Sequence, residues 1–315
     1  MLVFTSIVIP VLSLVAVFLF GIEKFSHQIH KYAEGRFKQV LRKLTSNPFK
    51  GMAVGAIFTS LIQSSTATTV ILAGLVSASI IPFSHSLGVI FGANIGTTLT
   101  SQLVALKVTN LAPYLILLGF LITYFGRSHK SWGKPIFYFG LIFFSLSLIT
   151  LYIEPVKSNP EIMAMFGGVS NLFMALLVGF LFTAVVQSST VTSGLVIILA
   201  GGGVLDLNQA FGIILGADIG TTITVSIASL NLNREAKKVA LAHFFFNLLG
   251  VLILLPFFDW FLALASSFGG GVQQHIATAH ILSKVFFAIV FLILLKPFTT
   301  FVTNAVSLMT KTQDA

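Results

Sequence analysis

Residues 55–69 read GAIFTSLIQSSTATT and residues 179–193 read GFLFTAVVQSSTVTS. Each is followed, at the same spacing, by a second block: GVIFGANIGTTLT at 88–100 and GIILGADIGTTIT at 212–224. The copies keep a constant offset of 124 residues, and without gaps 55–106 and 179–230 agree at 19 of 52 positions. The blocks are polar, yet they sit in apolar sequence. A duplicated polar pair inside apolar helices points to one binding site shared between two repeats.

The surrounding sequence sets the class. The chain has 315 residues, of which 56% are hydrophobic and 9% charged, with a mean hydropathy of +0.99. Soluble domains carry about 25% charged residues. Apolar runs of about 20 residues recur, so an all-α polytopic membrane protein is expected. The net charge of +9 does not indicate nucleic acid, because the cations gather in a few loops between apolar spans. There are no cysteines, hence no disulfide and no thiol chemistry. The stretch 2–21 lacks a preceding basic residue and a cleavage site, and reads as a retained span.

Seven full spans are expected near 2–22, 85–107, 111–126, 136–153, 208–230, 239–258 and 276–299. Two hairpins fall at 51–80 and 170–203, bending at Gln63-Ser64-Ser65 and Gln187-Ser188-Ser189. Their arms are too short for a hydrocarbon core of about 30 Å, so they read as re-entrant helices meeting near the midplane. The chain then divides into 1–50 (first span and a cytoplasmic amphipathic helix), 51–153 (repeat 1), 154–260 (repeat 2) and 261–315 (last span and cytoplasmic tail). Three full spans separate the two hairpin starts, and an odd number inverts the second repeat relative to the first.

The cations orient the chain. With the N-terminus outside, 15 of 18 Lys and Arg face the cytoplasm, in 23–50, 127–135 (with Arg127), 231–239 and the tail with Lys296 and Lys311. Lys107 and Lys157 fall outside. The expected location is the plasma (inner) membrane, and the cation bias puts the C-terminus in the cytoplasm. Within 23–50, Phe25, Ile29, Ala33, Phe37, Val40, Leu41 and Leu44 recur at helical spacing, which predicts a basic helix lying on the anionic leaflet.

In hydrocarbon, non-helical backbone survives only when buried in protein or lining a wet cavity. Gln-Ser-Ser-Thr at a hairpin tip supplies donors and acceptors, and a helix start there attracts anions. Hydroxyls can serve an oxyanion or a cation. Gly92–Thr98 and its copy, with two glycines around a polar residue and the pairs Thr97-Thr98 and Thr221-Thr222, predict an unwound mid-span stretch that binds a hard cation. Asp218 stands where the first copy has Asn94, and a carboxylate there favours Na+ or H+. No Lys or Arg lies in the four blocks, so an anion would rely on neutral donors, helix ends and co-bound cations. Ser, Thr and Gly can also serve packing alone. Four registered blocks argue against packing as their whole purpose.

These residues resemble the sodium-dependent phosphate cotransporter family, the bacterial relatives of the animal type II sodium–phosphate cotransporters. That family carries two QSSS-type motifs in inverted repeats, each followed by a G-(A/S)-N-I-G-T-(T/S) stretch. The resemblance covers roughly residues 50–260. It implies Na+-coupled import of inorganic phosphate by alternating access. By carry-over, Ser64, Ser65, Thr66, Ser188, Ser189 and Thr190 would bind phosphate. Gln63, Asn94, Thr97, Thr98, Gln187, Asp218, Thr221, Thr222 and Thr224 would contribute to Na+ sites. Thr replaces the last Ser of each QSSS, Asp218 replaces the usual Asn, and the disulfide-bearing domain of the animal members is absent. Besides phosphate and Na+, the expected partners are membrane lipids, with a homodimer left open; no organic cofactor is expected.

Lys284 is an ionisable group inside the last span, one turn after His280, and is a further functional candidate; snorkelling or a local pair is the plainer reading. His243 and Asn247 share a helix face, which suggests an interhelical hydrogen bond. Asp206 and Asp259 fall at span ends, where water reaches them. A passive anion channel would need a continuous polar path, whereas the polar residues gather at one depth. Sulfate and arsenate remain alternative substrates. No metal-ligand cluster or Ser-His-Asp arrangement suggests an enzyme.

Overall fold

The computed structural model describes residues 2–44, 47–106, 108–126, 130–153, 171–229 and 233–311. The expectations placed on Lys107, Arg127 and Lys157, and on the start of the second repeat at 154–170, lie outside these residues. Among the described residues the secondary structure is helical throughout. In chain order the helices are α1 (Leu2–Leu44), α2 (Pro48–Ile62), α3 (Ser65–Ser77), α4 (Phe83–Ala105), α5 (Ala112–Phe125) and α6 (Lys130–Ile153). The second half continues with α7 (Leu172–Val186), α8 (Ser189–Gly201), α9 (Leu207–Gly220) and α10 (Thr222–Ser229). It ends with α11 (Arg234–Leu254), α12 (Phe258–Ser267), α13 (Val272–Ile293) and α14 (Leu295–Lys311). Among the described residues, seven segments are long and apolar enough to cross a membrane.

Each polar Gln-Ser-Ser-Thr block is a helix hairpin, as expected. The arms α2–α3 and α7–α8 are 15 and 13 residues long in both copies. At 1.5 Å per residue that is about 20 Å, short of a hydrocarbon core of about 30 Å. The starts are fixed by caps: Asn47 accepts from the Phe49 amide at 2.9 Å, and Asn171 accepts from the Met174 amide at 2.9 Å. The bends repeat closely. Gln63 (φ 61°) and Gln187 (φ 60°) are both left-handed, and Ser64 and Ser188 are both extended at φ −145°. The left-handed residue ends one arm, and the extended serine caps the next. Across each hairpin a hydroxyl pair joins the arms: Thr59 to Thr68 at 2.8 Å, and Thr183 to Thr192 at 2.6 Å.

The glycines of the second blocks serve packing. A side chain at Gly92 would overlap the Met52 carbonyl oxygen, and one at Gly216 would overlap that of Leu176. Gly96 and Gly220 stand in the same way against Ala56 and Phe180. Glycines at four-residue spacing thus lay α4 against α2 and α9 against α7, backbone on backbone. This corrects the expectation of an unwound stretch at Gly92–Thr98, because α4 runs through it without a break. In the second copy the helix is interrupted only at Thr221, between α9 and α10.

One further expectation changes. Residues 23–44 do not form a separate surface helix, since α1 continues unbroken from Leu2 to Leu44. Its apolar stripe covers protein: Phe37 stacks on Phe58 of α2, Leu41 is fully buried, and Phe25 meets Phe139 of α6. The C-terminal tail is helical through Lys311, and α14 packs on α11 with Phe298, Val302 and Val306 buried.

The two halves are interleaved. α8 of the second copy packs on α4 of the first, and α3 of the first packs on α10 and α11. α13 packs on both α4 and α9. A continuous core of aromatic side chains, in which Phe91 and Phe291 touch each other and both Phe246 and Phe298, fills the space around α4, α11, α13 and α14.

Candidate functional site

The first hairpin tip is tied to α4. Gln63 is buried, its side-chain amide donates to the Ser60 carbonyl at 2.5 Å, and its side-chain oxygen accepts from Thr100. Ser60 in turn donates to the Gly96 carbonyl at 3.2 Å. Ser64 caps α3 through the Ala67 amide at 3.1 Å, and Ser65 is buried while Thr66 is half-buried. The first amides of α3 have no acceptor within their own helix, which makes this tip a partial positive pole. In the second tip Ser188 caps α8 through the Val191 amide at 3.4 Å, and Ser189 and Thr190 are buried. Here the copies diverge, for Gln187 is exposed and the Thr224 hydroxyl, the counterpart of Thr100, is buried without a partner.

Of the expected cation ligands, Gln187 is exposed and Thr224 half-buried; the others are buried, and most of those are engaged by their own helices. Asn94 donates to the Ile90 carbonyl at 2.9 Å. Thr97 donates to Asn94, Thr98 to Ile95 and Thr222 to Ile219, at 2.7, 2.7 and 2.6 Å. Each bond leaves the hydroxyl oxygen lone pairs free to accept or to ligate. Thr221 is buried at the α9 C-terminus, where the helix is interrupted.

Asp218 is handled differently. Its Oδ2 lies 2.6 Å from Lys284 Nζ and 3.4 Å from His280 Nε2, and all three side chains are essentially inaccessible. Lys284 therefore does not snorkel. Its ammonium also donates to Asn247 Oδ1 at 2.6 Å, and it lies 5.5 Å from the Phe287 ring centre. Asn247 donates to the His243 carbonyl at 3.1 Å. His243 Nδ1 lies 3.2 Å from Thr69 Oγ1, and Thr69 gives its own proton to the Ser65 carbonyl at 2.8 Å. A His243 proton on Nδ1 would complete the contact. On the other side, Ser101 of α4 lies 2.9 Å from His280 Nδ1.

A single buried polar chain therefore links Ser65, at the first tip, to Asp218 in the second copy, by way of α11 and α13. A charge pair stripped of water is costly unless every remaining donor and acceptor is met. Here that is met only in part: Asn247 accepts from the ammonium, while Nε2 of both His243 and His280 is buried without a hydrogen-bond partner. Membrane-embedded ionisable groups mark substrate and ion pathways. Sequence reasoning named Asp218 and Lys284 but did not pair them, and it missed Thr100, Ser101 and Thr69. His243/Asn247 and His280/Lys284 each form a polar stripe at four-residue spacing, which marks a polar contact but not that its partner is Asp218. Asp206, the cap of α9, and Asp259 are exposed, as expected. Among the described residues no group of three or more His, Asp or Glu could hold a metal ion.

The model of the Na+/Pi-cotransporter family matches twice, over residues 17–150 and 161–294. YqeW of Bacillus subtilis, an uncharacterised protein, is 31% identical over 290 residues, covering 91% of this chain and 94% of that protein. YjbB of Escherichia coli, for which inorganic phosphate export has been proposed, is 26% identical over 250 residues, 78% of this chain and 46% of YjbB. The mouse sodium-dependent phosphate transport protein 2C is 40% identical over 116 residues, 35% of this chain and 19% of that protein. No solved structure matches the chain.

Proposed function

This chain belongs to the Na+/Pi-cotransporter family, a family of transporters and not of enzymes, and from that premise we propose that it imports inorganic phosphate in symport with Na+. The observation that carries the reading is the pair of tips with matching backbone angles, Gln63-Ser64-Ser65 and Gln187-Ser188-Ser189, each heading a helix whose first amides lack an acceptor within the helix. Phosphate sits between them, held by Ser64, Ser65, Thr66, Ser188, Ser189 and Thr190. Na+ sits beside the tips, on oxygens of Gln63, Asn94, Thr97, Thr98, Gln187, Thr221, Thr222 and Thr224; Asp218, expected among these ligands, already has the Lys284 ammonium as its counter-charge. The two repeats are inverted in the membrane, with the N-terminus outside, and they exchange access by rocking against each other.

Neutral donors hold the anion weakly until cations join it, which couples the two. A tenfold Na+ gradient supplies about 1.4 kcal/mol per ion. Each net charge moved adds about 2.3 kcal/mol per 100 mV. Two or three Na+ therefore suffice to accumulate a divalent anion.

The test is uptake of radiolabelled phosphate into proteoliposomes under an inward Na+ gradient against an equal K+ gradient. Symport gives Na+-dependent accumulation, abolished in Gln63→Ala and Ser188→Ala. Equal flux in both salts without accumulation indicates a channel. A second reading is suggested by the likeness to YjbB, namely outward phosphate movement. Efflux from phosphate-loaded cells expressing the protein, faster than from control cells and indifferent to external Na+, would favour it.

A further inference from the structure

Asn94 and Asp218 occupy the same place in the two repeats. Their surroundings differ in one respect that bears on the coupling ions. The Asn94 amide turns onto its own helix at Ile90, so the first copy is neutral and has no fixed cation attached. The second copy has gained a carboxylate, and a cation has come with it from another helix. Lys284 reaches Asp218 from α13, four residues after His280, and its ammonium ends on two oxygens, Asp218 Oδ2 and Asn247 Oδ1, both at 2.6 Å.

A carboxylate and a neutral amide oxygen converging on one positive centre, fully out of water, make the donor set a hard monovalent cation would use. Here the positive centre is covalently attached. Burying Asp218 and Lys284 singly would be prohibitive, and burying them as a pair gains no stability over an apolar filling of the same space. Stability alone therefore does not account for the pair.

We propose that the Lys284 ammonium is a built-in cation that permanently fills the position beside Asp218 in the second repeat, so that this position exchanges no Na+ with solution. The proposal rests on the reading that the Gly-Ala-Asn/Asp-Ile-Gly-Thr-Thr stretches are cation positions. It predicts that emptying the position of Lys284 creates a Na+ site at Asp218, since the carboxylate must then take its counter-charge from solution. The new site has Asp218 and Asn247 as its ligands.

The experiment is equilibrium binding of radioactive Na+ to the purified full-length protein, with no transport required. Lys284→Gln is expected to bind one more Na+ per chain than the natural protein. Asp218→Asn/Lys284→Gln is expected to return to the natural count. In parallel, NaCl at equal ionic strength to KCl is expected to raise the Tm of Lys284→Gln more than that of the natural protein. An unchanged Na+ count in folded Lys284→Gln overturns the proposal. So does a Lys284→Gln protein that fails to fold in Na+ as well as in K+, because Na+ then does not replace the ammonium. Folding in Na+ but not in K+ supports it. A natural protein that binds no Na+ at all would count against Na+ coupling; a gain of one ion in Lys284→Gln would still uphold the built-in cation.

Discussion

The Thr100 hydroxyl donates to the side-chain oxygen of Gln63, and this contact fastens the first hairpin tip to α4. Its counterpart is not made, because Gln187 is exposed and the Thr224 hydroxyl is buried alone. Thr100→Val removes a donor and strands a buried amide oxygen, which costs about 1–3 kcal/mol. Thr224→Val removes a hydroxyl that already has no partner, so it is expected to be neutral or stabilising. Thermal unfolding of the two variants in the same detergent checks the difference.

The buried pair makes a stability cycle. Asp218→Asn leaves the Lys284 ammonium in the interior with one neutral oxygen, at a cost of about 3–5 kcal/mol. The double variant Asp218→Asn/Lys284→Gln removes both charges and should recover most of that loss. Unfolding midpoints of the single variants and the double variant give the coupling, and additive losses would contradict a direct pair.

The glycine contacts predict a sharp positional contrast. Gly92→Ala and Gly216→Ala place a methyl against a carbonyl of the neighbouring arm and should abolish a monodisperse protein. Gly74, in α3, has open space where its side chain would go, so Gly74→Ala should stabilise by about 0.5–1 kcal/mol through helix propensity. Size-exclusion profiles after expression separate the two classes.

The proposed phosphate contacts are tested best at Ser65 and Ser189, which are not the capping serines. Loss of a hydrogen bond to a charged group costs about 1.5–3 kcal/mol. Ser65→Ala and Ser189→Ala should therefore raise the KM for phosphate by one to two orders of magnitude while leaving Tm nearly unchanged. Phosphate-dependent uptake measured across a concentration series decides it.

Inversion of the repeats can be read with single cysteines, because the chain has none of its own. Ser84 and Asn208 are equivalent positions and both are exposed. Ser84→Cys should react with a membrane-impermeant maleimide only from the cytoplasmic side, and Asn208→Cys only from the outside. Labelling of both from one side would make the repeats parallel.

The hairpins were legible in the sequence because Gln-Ser-Ser-Thr is a local signal: four polar residues in an apolar run have no place except at a bend. The spans were legible for the same local reason. The continuity of α4 was not, since a glycine that breaks a helix and a glycine that admits a neighbouring backbone look alike until the neighbour is known. Met52 and Ala56 supply that neighbour here. Nor was the surroundings of Asp218 legible. Lys284 lies on another helix, and nothing in the spacing of either motif says which face of α13 turns toward α9. The basic half of α1 misled for a related reason, because an apolar stripe reads the same whether it covers lipid or, as at Phe37, an aromatic ring of the protein.

The short arms of the hairpins also bear on how the chain is made. Synthesis runs from the N-terminus, so α2 and α3 emerge before α4, and α7 and α8 before α9. Neither arm reaches across the hydrocarbon, and the polar tip between them has no stable place in lipid. The glycine face that receives each hairpin lies on the helix translated just after it. Membrane insertion of each hairpin is therefore completed retroactively, and the translocation machinery must shelter residues 48–77 until α4 arrives to receive them.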